Sequence, residues 1–412
     1  MNNIVSRTIK FGIIAFVALL IVGCIEEIEK TSFSYERLLV VDANISDQQK
    51  VHEVRLSYTS PVDGNLDDGS SAATGARVWV EDNQGNQVDF TENEPGHYTS
   101  PSNFAAEAGK SYALFITTSE GKDYQSAYEE LVPAPEITNI YNRFTIEPGD
   151  GEATSIPGVQ FFIDSDAAGQ SSQFFRYEWT DTHQVIVPYP KKYEAVRDLR
   201  GNWVISEVNR DLSECYKERS FDELILATST NTSTGQLREV PIKFSAASLF
   251  DVTTMYSIEV TQRAISSEAY SYYRKIKLFN ESNGTLFDKQ QGIIIGNIVS
   301  VDDPNENVLG YFEVSGATSK RIFMQLSDLD EPVQDYLNRP CLTNGPIMVE
   351  GMTIDQFYEA QDVEEGVRGS EISRRSLYEL FDVGYTGEML FGYRLCVDCT
   401  RRGSLGKPAY WP

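Results

Sequence analysis

Short runs in which apolar and polar residues alternate begin at residue 38 and recur along the chain. In residues 51–58 the apolar side chains fall at Val54, Leu56 and Tyr58, as they do in a half-buried strand. Similar runs, separated by turn residues about every 8–12 positions, predict an immunoglobulin-like β-sandwich over residues 38–132. The other runs are 38–45, 76–81, 87–90, 96–99 and 111–117.

A proline-containing segment at residues 131–136 interrupts this pattern, because proline has no amide hydrogen to donate to a sheet. Beyond it we expect a larger β-rich domain over residues 137–412, with a cysteine-containing C-terminal segment. Ser266 and Thr353 have the spacing of helix N-caps, which predicts two short helical insertions. The fold class is therefore mainly all-β. The strand-like runs of this part are 158–163, 174–179, 224–227, 240–244, 256–261, 308–314 and 320–324.

The N-terminus has the pattern of an exported lipoprotein. Arg7 and Lys10 precede an apolar run over residues 11–22, which is followed by Gly23 and Cys24. As a helix this run is about 18 Å long, too short for a bilayer core of about 30 Å, so residues 1–23 are predicted to be a signal peptide. The residues before Cys24 resemble the bacterial lipobox. We therefore expect Cys24 to be lipidated and residues 24–37 to form a tether.

Glu26 and Glu27 directly follow the predicted lipidation site. They resemble the acidic export signal that sends lipoproteins of Bacteroidetes to the outer face of the outer membrane. The alternative is a solvated linker without a signal. We expect a lipid-anchored protein of the cell outer membrane that faces outside.

The charge of the chain limits its partners. The sequence has 412 residues, with 61 acidic and 35 basic side chains and a formal net charge of -26. Loss of residues 1–23 removes Arg7 and Lys10, so the mature chain keeps 33 basic and 61 acidic residues, a formal charge of -28. Because nucleic-acid affinity depends on clustered Lys and Arg, this balance argues against a nucleic-acid partner. An anionic membrane surface would also repel the chain.

Four cysteines remain after lipidation: Cys215, Cys341, Cys396 and Cys399. An even number in an exported protein favours two disulfides, for which three connectivities exist. A bridge between Cys396 and Cys399 would close a short ring, so we prefer two long-range bridges that tie the C-terminal segment to the β domain. A zinc site is less favoured, because only one Cys-x-x-Cys pair is present.

Motifs for catalysis are missing from the sequence. His52, His97 and His183 are isolated in strand-like contexts, and no His-Glu-x-x-His, Gly-x-Ser-x-Gly or phosphate-binding glycine loop occurs. We therefore predict no catalytic residue, no metal and no cofactor. Two aromatic groups are candidates for a ligand-stacking platform, although core packing is the usual reason for such spacing. They are Tyr270, Tyr272 and Tyr273, and Phe174, Phe175, Tyr177 and Trp179.

Several short phrases resemble one family in their content and order. The chain resembles the outer-membrane lipoproteins of Bacteroidetes that form the family "domain of unknown function four-two-four-nine", over nearly all of the mature sequence. The phrases are 75–80 with 96–98, 215–216, 284–288, 296–298, 308–312, 320–323, 396–399 and 408–411.

The resemblance, and not the composition, implies a function. It implies a non-catalytic accessory or binding partner of a TonB-dependent β-barrel transporter in nutrient uptake, and it transfers no catalytic residue. The alternative is a structural or adhesive lipoprotein of the cell envelope. A secreted hydrolase that uses paired carboxylates is the third hypothesis. The sequence does not identify a ligand.

Overall fold

The computed structural model describes residues 37–60, 71–149, 155–169, 171–220, 223–230, 232, 234–248, 255–282, 293–337, 341, 345–362 and 377–412. The predicted signal peptide, the lipidation site Cys24 and the acidic pair Glu26 and Glu27 lie outside these residues. Within them, no helix has the length and apolar character that crossing a bilayer requires.

The N-terminal unit is built from short strands in which buried and exposed residues alternate. The first strand buries Leu39, Val41, Ala43 and Ile45, and its partner buries Val54 and Leu56. The mainly β fold predicted from this alternation is confirmed. The strands are β1 (Leu39–Ser46), β2 (Glu53–Tyr58), β3 (Arg77–Asp82), β4 (Gln87–Glu94), β5 (His97–Thr99), β6 (Ser111–Thr117), β7 (Asp123–Ser126) and β8 (Glu129–Glu130).

The second unit packs two sheets around its own core. Strands β11, β14, β15 and β17 belong to one sheet, and β16-β10-β9 form the other. Phe161 and Tyr256, from opposite sheets, stack with their rings 5.5 Å apart. The elements are β9 (Ile137–Pro148), β10 (Ser155–Asp166), β11 (Phe174–Ile186), β12 (Tyr193–Arg197), β13 (Trp203–Glu207), β14 (Glu214–Ser220), β15 (Ile225–Thr228), β16 (Gln236–Ala246), β17 (Met255–Ile265) and helix α1 (Ser267–Ser282).

The chain then returns to the N-terminal unit and completes it. Strand β18 (Ile298–Ser300) pairs with β7, and β19 (Leu309–Gln325) runs parallel to β1 from Leu309 to Ser315. Ile298 and Phe312 are buried in the same core as β1 and β2. The sandwich predicted over residues 38–132 therefore also contains residues 298–315. Local sequence patterns do not reveal this long-range addition.

Strand β19 belongs to both units. Its second half pairs antiparallel with β17, from Gly316 to Gln325. The sequence predicts two separate strand-like runs, at 308–314 and 320–324, with small residues between them. They lie in the strand instead: a Cβ at Gly316 would be 2.4 Å from the Val132 carbonyl oxygen. The small side chains thus let the proline-containing segment pack directly on β19.

The C-terminal part adds a small sheet, β20-β22-β21, with its own core around Phe357 and Phe391. Thr353 and Gln356 form the predicted capping box, in which each side chain bonds the other residue's backbone amide at 3.2 and 2.8 Å. Ser266 accepts a hydrogen bond from the Ala269 amide at 3.0 Å, as predicted for the start of α1. The added elements are α2 (Glu331–Gln334), β20 (Ile347–Val349), α3 (Ile354–Asp362), β21 (Tyr378–Val383), β22 (Met389–Tyr393) and α4 (Arg394–Val397).

A buried ion-pair network crosses the strands where the two units meet. Glu313 of β19 is 0% exposed and receives two hydrogen bonds from the Arg176 guanidinium, at 2.8 and 3.0 Å. Arg176 also bonds Glu178 at 2.8 Å, and Arg263 of β17 lies 3.1 Å from the same carboxylate. Burial acts to raise the pKa of Glu313, but the charge and hydrogen bonds of Arg176 outweigh it and lower the pKa to about 2.

We expect Glu313→Gln to lower the free energy of unfolding by about 3–5 kcal/mol at pH 7, because the buried Arg176 loses the carboxylate that accepts two of its hydrogen bonds. The native pKa lies below the ordinary 4.5, so this carboxylate's contribution is complete above pH 4.5 and is lost towards pH 2. Urea unfolding between pH 7 and pH 3 should therefore show a smaller acid loss in the variant than in the wild type. Glu130→Gln, at an exposed position, is the control, and equal acid slopes would contradict the assignment.

Candidate functional site

Two adjoining cavities open in the second unit, between β11 and β14 on one side and β16 on the other. Their volumes are about 340 and 490 Å³. Trp179, Glu223, Lys243 and Phe244 line both, so we treat them as one site, the Lys243 cavity. The remaining lining residues are Glu147, Gln160, Ile225, Pro241, Ile242 and Lys277 in the first, and Arg219, Ser220, Ser245 and Ala246 in the second.

Asp181 of β11 organises the wall of this cavity. It is 0% exposed and lies directly opposite Arg219 in the β11–β14 pairing. Arg219 donates to Asp181 Oδ1 from Nε at 3.2 Å and to Oδ2 from Nη2 at 3.0 Å. Tyr256 donates its hydroxyl hydrogen to Oδ2 at 3.1 Å, and Lys243 Nζ donates to the same oxygen. The buried carboxylate therefore holds two cationic side chains in fixed positions.

Lys243 lies between this carboxylate and two aromatic rings. Its Nζ atom is 4.4 Å from the ring centre of Trp179 and 5.6 Å from that of Tyr256. Burial lowers the pKa of Lys243 to about 7, while the contact with Asp181 acts in the opposite direction. The carboxylate and the ring faces together stabilise the ammonium form of Lys243.

Two of the three histidines have clear structural roles, and the third supports the cavity wall. His52 is buried, and burial lowers its pKa to about 4, whereas His97 bonds Glu53 at 2.8 Å. His183 is 0% exposed and lies 3.3 Å from Asp181 Oδ2. The histidines do not converge, and no group of three or more His, Cys, Asp or Glu side chains suited to a metal occurs in the described part of the chain.

The aromatic candidates of the sequence separate into different roles. Phe175 and Tyr177 are buried in the core of the second unit, whereas Trp179, on the same face of β11, reaches the cavity. Tyr273 of α1 covers the buried ion-pair network, with the Arg176 guanidinium 5.2 Å from its ring centre. The sequence does not identify Lys243 and Arg219, although the alternation through residues 175, 177 and 179 continues to Asp181 and His183.

The four cysteines form two long-range disulfides, as preferred from the sequence. Cys215 pairs with Cys399, and Cys341 pairs with Cys396, with sequence separations of 184 and 55 residues. Neither bridge joins the neighbouring Cys396 and Cys399. The first bridge holds the chain's last segment against β14, the strand that carries Arg219.

Aromatic contacts extend this attachment of the C-terminal segment. The Trp411 ring lies 5.2 Å from Tyr216 and 5.5 Å from Phe323 in edge-to-face geometry. Tyr410 stacks under the Arg321 guanidinium at 3.6 Å and shares a hydrogen bond with Thr182 at 2.6 Å. Three of the phrases behind the family resemblance, at 215–216, 320–323 and 408–411, therefore meet in one cluster.

Two other sequence segments behind the family resemblance, 296–298 and 308–312, meet where β18 approaches β19. A Cβ at Gly296 would lie 1.7 Å from the Gly310 carbonyl oxygen, so glycine is required for this crossing. Beside it, the Asn297 side chain accepts from the Phe312 amide and donates to the Phe312 carbonyl, both at 2.9 Å. The asparagine thus replaces a strand partner at this point and fixes β18 to β19.

These features define a class: an all-β protein with a completed N-terminal sandwich and a cavity of small-molecule size in its second unit. The model of the family described as "Domain of unknown function (DUF4249)" matches residues 25–321, and the chain belongs to this family. The family predicted from the resemblance is thereby confirmed.

Comparison with solved structures gives matches without close overall similarity. A crystal structure of trypsin-activated alpha-2-macroglobulin from Escherichia coli is 10% identical, with a TM-score of 0.17, and the match covers 57% of this chain and 15% of that one. The cryo-EM structure of the native E. coli alpha-2-macroglobulin is 11% identical, with a TM-score of 0.16, and the match covers 57% of this chain and 13% of that one. No curated protein matches the chain.

We expect Cys399→Ser to expose the C-terminal segment to proteolysis, because it removes the covalent link to β14. Trypsin cleavage after Arg401 and Arg402, followed by mass spectrometry, should be faster than in the wild type, and the free energy of unfolding should fall by about 2–5 kcal/mol. The double variant Cys341→Ser/Cys396→Ser is the matched control, since it removes the other bridge. Unchanged cleavage in Cys399→Ser would contradict the role of this bridge.

Proposed function

We propose that this chain is a lipid-anchored protein of the outer membrane that binds a small polar solute and passes it to a TonB-dependent transporter. The Lys243 cavity is the proposed binding site, and the observation that carries the proposal is its wall of hydrogen-bond donors held by Asp181. Ligand sites commonly combine about 300–1,000 Å³ of space with a few fixed polar groups, and this cavity has both.

The arrangement of Lys243 favours binding over covalent chemistry. A nucleophilic lysine must be neutral and free to attack, but Nζ of Lys243 is engaged by the Asp181 carboxylate. Arg219 and Tyr256 occupy the same carboxylate, so Asp181 is saturated with donors and is poorly placed to accept a proton from a substrate. Lys243, Arg219 and Asp181 are therefore suited to holding charges in fixed positions for binding a ligand.

The membrane location rests on the sequence before the described residues. The signal-peptide pattern, the lipobox and Cys24 together support a lipid anchor, and Glu26 and Glu27 support export to the outer face. The tether joins the fold at Arg37, which pairs with Glu120 at 3.1 Å and stacks over Tyr58 at 3.7 Å.

A strip of exposed aliphatic side chains supports a protein partner close to this anchor. Ile293, Ile295, Val299 and Val301 alternate along the chain and are 54, 54, 58 and 58% exposed. Residues 291–301 carry no charge, although the chain as a whole is strongly acidic. In native proteins, exposed aliphatic surfaces of this kind are commonly covered by another part of the chain or by a binding partner.

The surroundings of the aliphatic strip support a membrane protein as its occupant. Lys122, in the turn that holds Glu120 beside Arg37, pairs with Glu306 at 2.9 Å, so the strip ends near the tether. Asp302 and Asp303 directly follow Val301 and would repel anionic lipid headgroups. We therefore assign the strip to the transporter's protein surface and not to lipid.

We expect Cys24→Ser to release the protein from the membrane, because the acyl chains that hold it would no longer be attached. Fractionation of cells should move it from the outer-membrane pellet to a soluble fraction. Ser32→Ala, in the same tether, should stay in the pellet. Continued membrane retention of the Cys24 variant would refute lipid anchoring.

We expect Val299→Lys to reduce co-purification of a β-barrel receptor with the lipidated protein by at least about tenfold, since a buried unpaired charge at an interface costs several kcal/mol. The measurement is the receptor-to-lipoprotein ratio after mild detergent extraction. Leu278→Lys, at an exposed aliphatic position of α1, is the matched control. Absence of a stoichiometric receptor from the wild-type preparation would overturn the transporter proposal.

A further inference from the structure

We infer that the Lys243 cavity takes a small organic anion with a planar apolar body, whose acid group is bound by Arg219. This inference names the ligand class of the proposed binding site and therefore rests on the proposed function. It follows from which atoms face the cavity, from how Arg219 is held, and from the composition of the walls.

The groups that face the larger cavity are mainly hydrogen-bond donors. Arg219, Lys243, Ser220 and Ser245 line it, and Glu223 is the single carboxylate among its described lining residues. The carboxylate that holds both cations belongs to Asp181, which is 0% exposed and does not line the cavity. A ligand therefore meets the cations and hydroxyls, while the compensating charge lies behind them.

Arg219 is pre-oriented for an anion. Its Nε and Nη2 atoms are taken by the two Asp181 oxygens, and its side chain is 30% exposed. Its remaining nitrogen, Nη1, has no partner among the described residues. Because Asp181 fixes the plane of the guanidinium, a ligand carboxylate can accept a hydrogen bond from Nη1 without ordering a flexible side chain. Charge-assisted hydrogen bonds of this kind are the stronger ones in proteins.

The walls of the cavity determine which chemical groups the ligand can carry besides its acid group. Trp179 and Phe244 contribute aromatic surface to both cavities, and Ile225 and Pro241 add apolar surface to the smaller one. Flat aromatic and aliphatic walls favour a planar apolar group. The volumes of about 340 and 490 Å³ fit a molecule of one or two rings and not a polymer chain.

The carboxylates of the lining set the orientation of the ligand. Glu223 lines both cavities and Glu147 adds a second carboxylate in the smaller one, so the acid group of the ligand lies in the larger cavity, beside Arg219. Neutralising Glu223 should then strengthen binding of an anion, whereas a cationic ligand would be weakened by the same change. The sign of this effect separates the two ligand classes and does not depend on the fold's tolerance of a change at Arg219.

The test uses the mature lipidated protein in detergent, labelled with 5-fluorotryptophan and titrated with benzoate, benzamide or benzylamine. The chain has four tryptophans, so fluorine NMR reports on Trp179 while Trp79, Trp203 and Trp411 serve as internal controls. Trp179→Phe assigns the relevant signal. We expect benzoate to shift the Trp179 signal alone, and to bind at least tenfold more tightly than benzamide or benzylamine.

Two variants complete the test. Arg219→Gln should weaken benzoate binding about tenfold or more, and Glu223→Gln should strengthen it about threefold. Equal or tighter binding of benzamide or benzylamine at Trp179, or weaker benzoate binding in Glu223→Gln, would overturn the anion assignment and leave the binding function standing. If none of the three probes shifts the Trp179 signal, both the ligand class and the proposed binding site are wrong.

Discussion

The buried pairing of Glu313 with Arg176 is the interaction on which the arrangement of the two units depends. Glu313 lies on β19, the strand shared by the N-terminal sandwich and the sheet of the second unit. A carboxylate that is 0% exposed is tolerated only with its full set of donors, which come from Arg176 of β11 and Ser315 of β19, while Arg263 of β17 joins the network through Glu178. A slip of any of these strands by one residue would separate the charges, so the network fixes their register.

Strand β11 links the ion-pair network around Glu313 to the cavity. On β11, Arg176 and Glu178 face the ion-pair network, while Trp179 and Asp181 face the opposite side, as alternation in a strand requires. Because one rigid strand presents both sets, the position of Asp181 follows from the packing around Glu313. The cavity is therefore built on fixed sheet positions, which suits a site that recognises a ligand through geometry.

Sequence patterns predict those parts of this fold that depend on local structure. The alternation through Phe175, Tyr177 and Trp179 would place Asp181 on the same face if the run were extended by two residues, and the two helix caps follow from local spacing. Lys243 does not follow, because the pairing of β16 with β10 shifts register between Pro241 and Lys243 and reverses which residues face inward. The parallel pairing of β19 with β1 and the choice of disulfide partners depend on long-range contacts that no local pattern contains.

The structure indicates where the net negative charge of the chain lies. Arg176, Arg263 and Lys243 are nearly fully buried against carboxylates, so their charges contribute little to the outer surface. Their carboxylate partners are largely buried with them, so the net negative charge of the chain lies on the exterior, and an anionic solute approaches against this field. Affinity for such a solute must then come from short-range hydrogen bonds at Arg219, which act only on a molecule whose shape allows it to reach them. The negative surface thus works as a selectivity element, because it excludes anions that lack the complementary body.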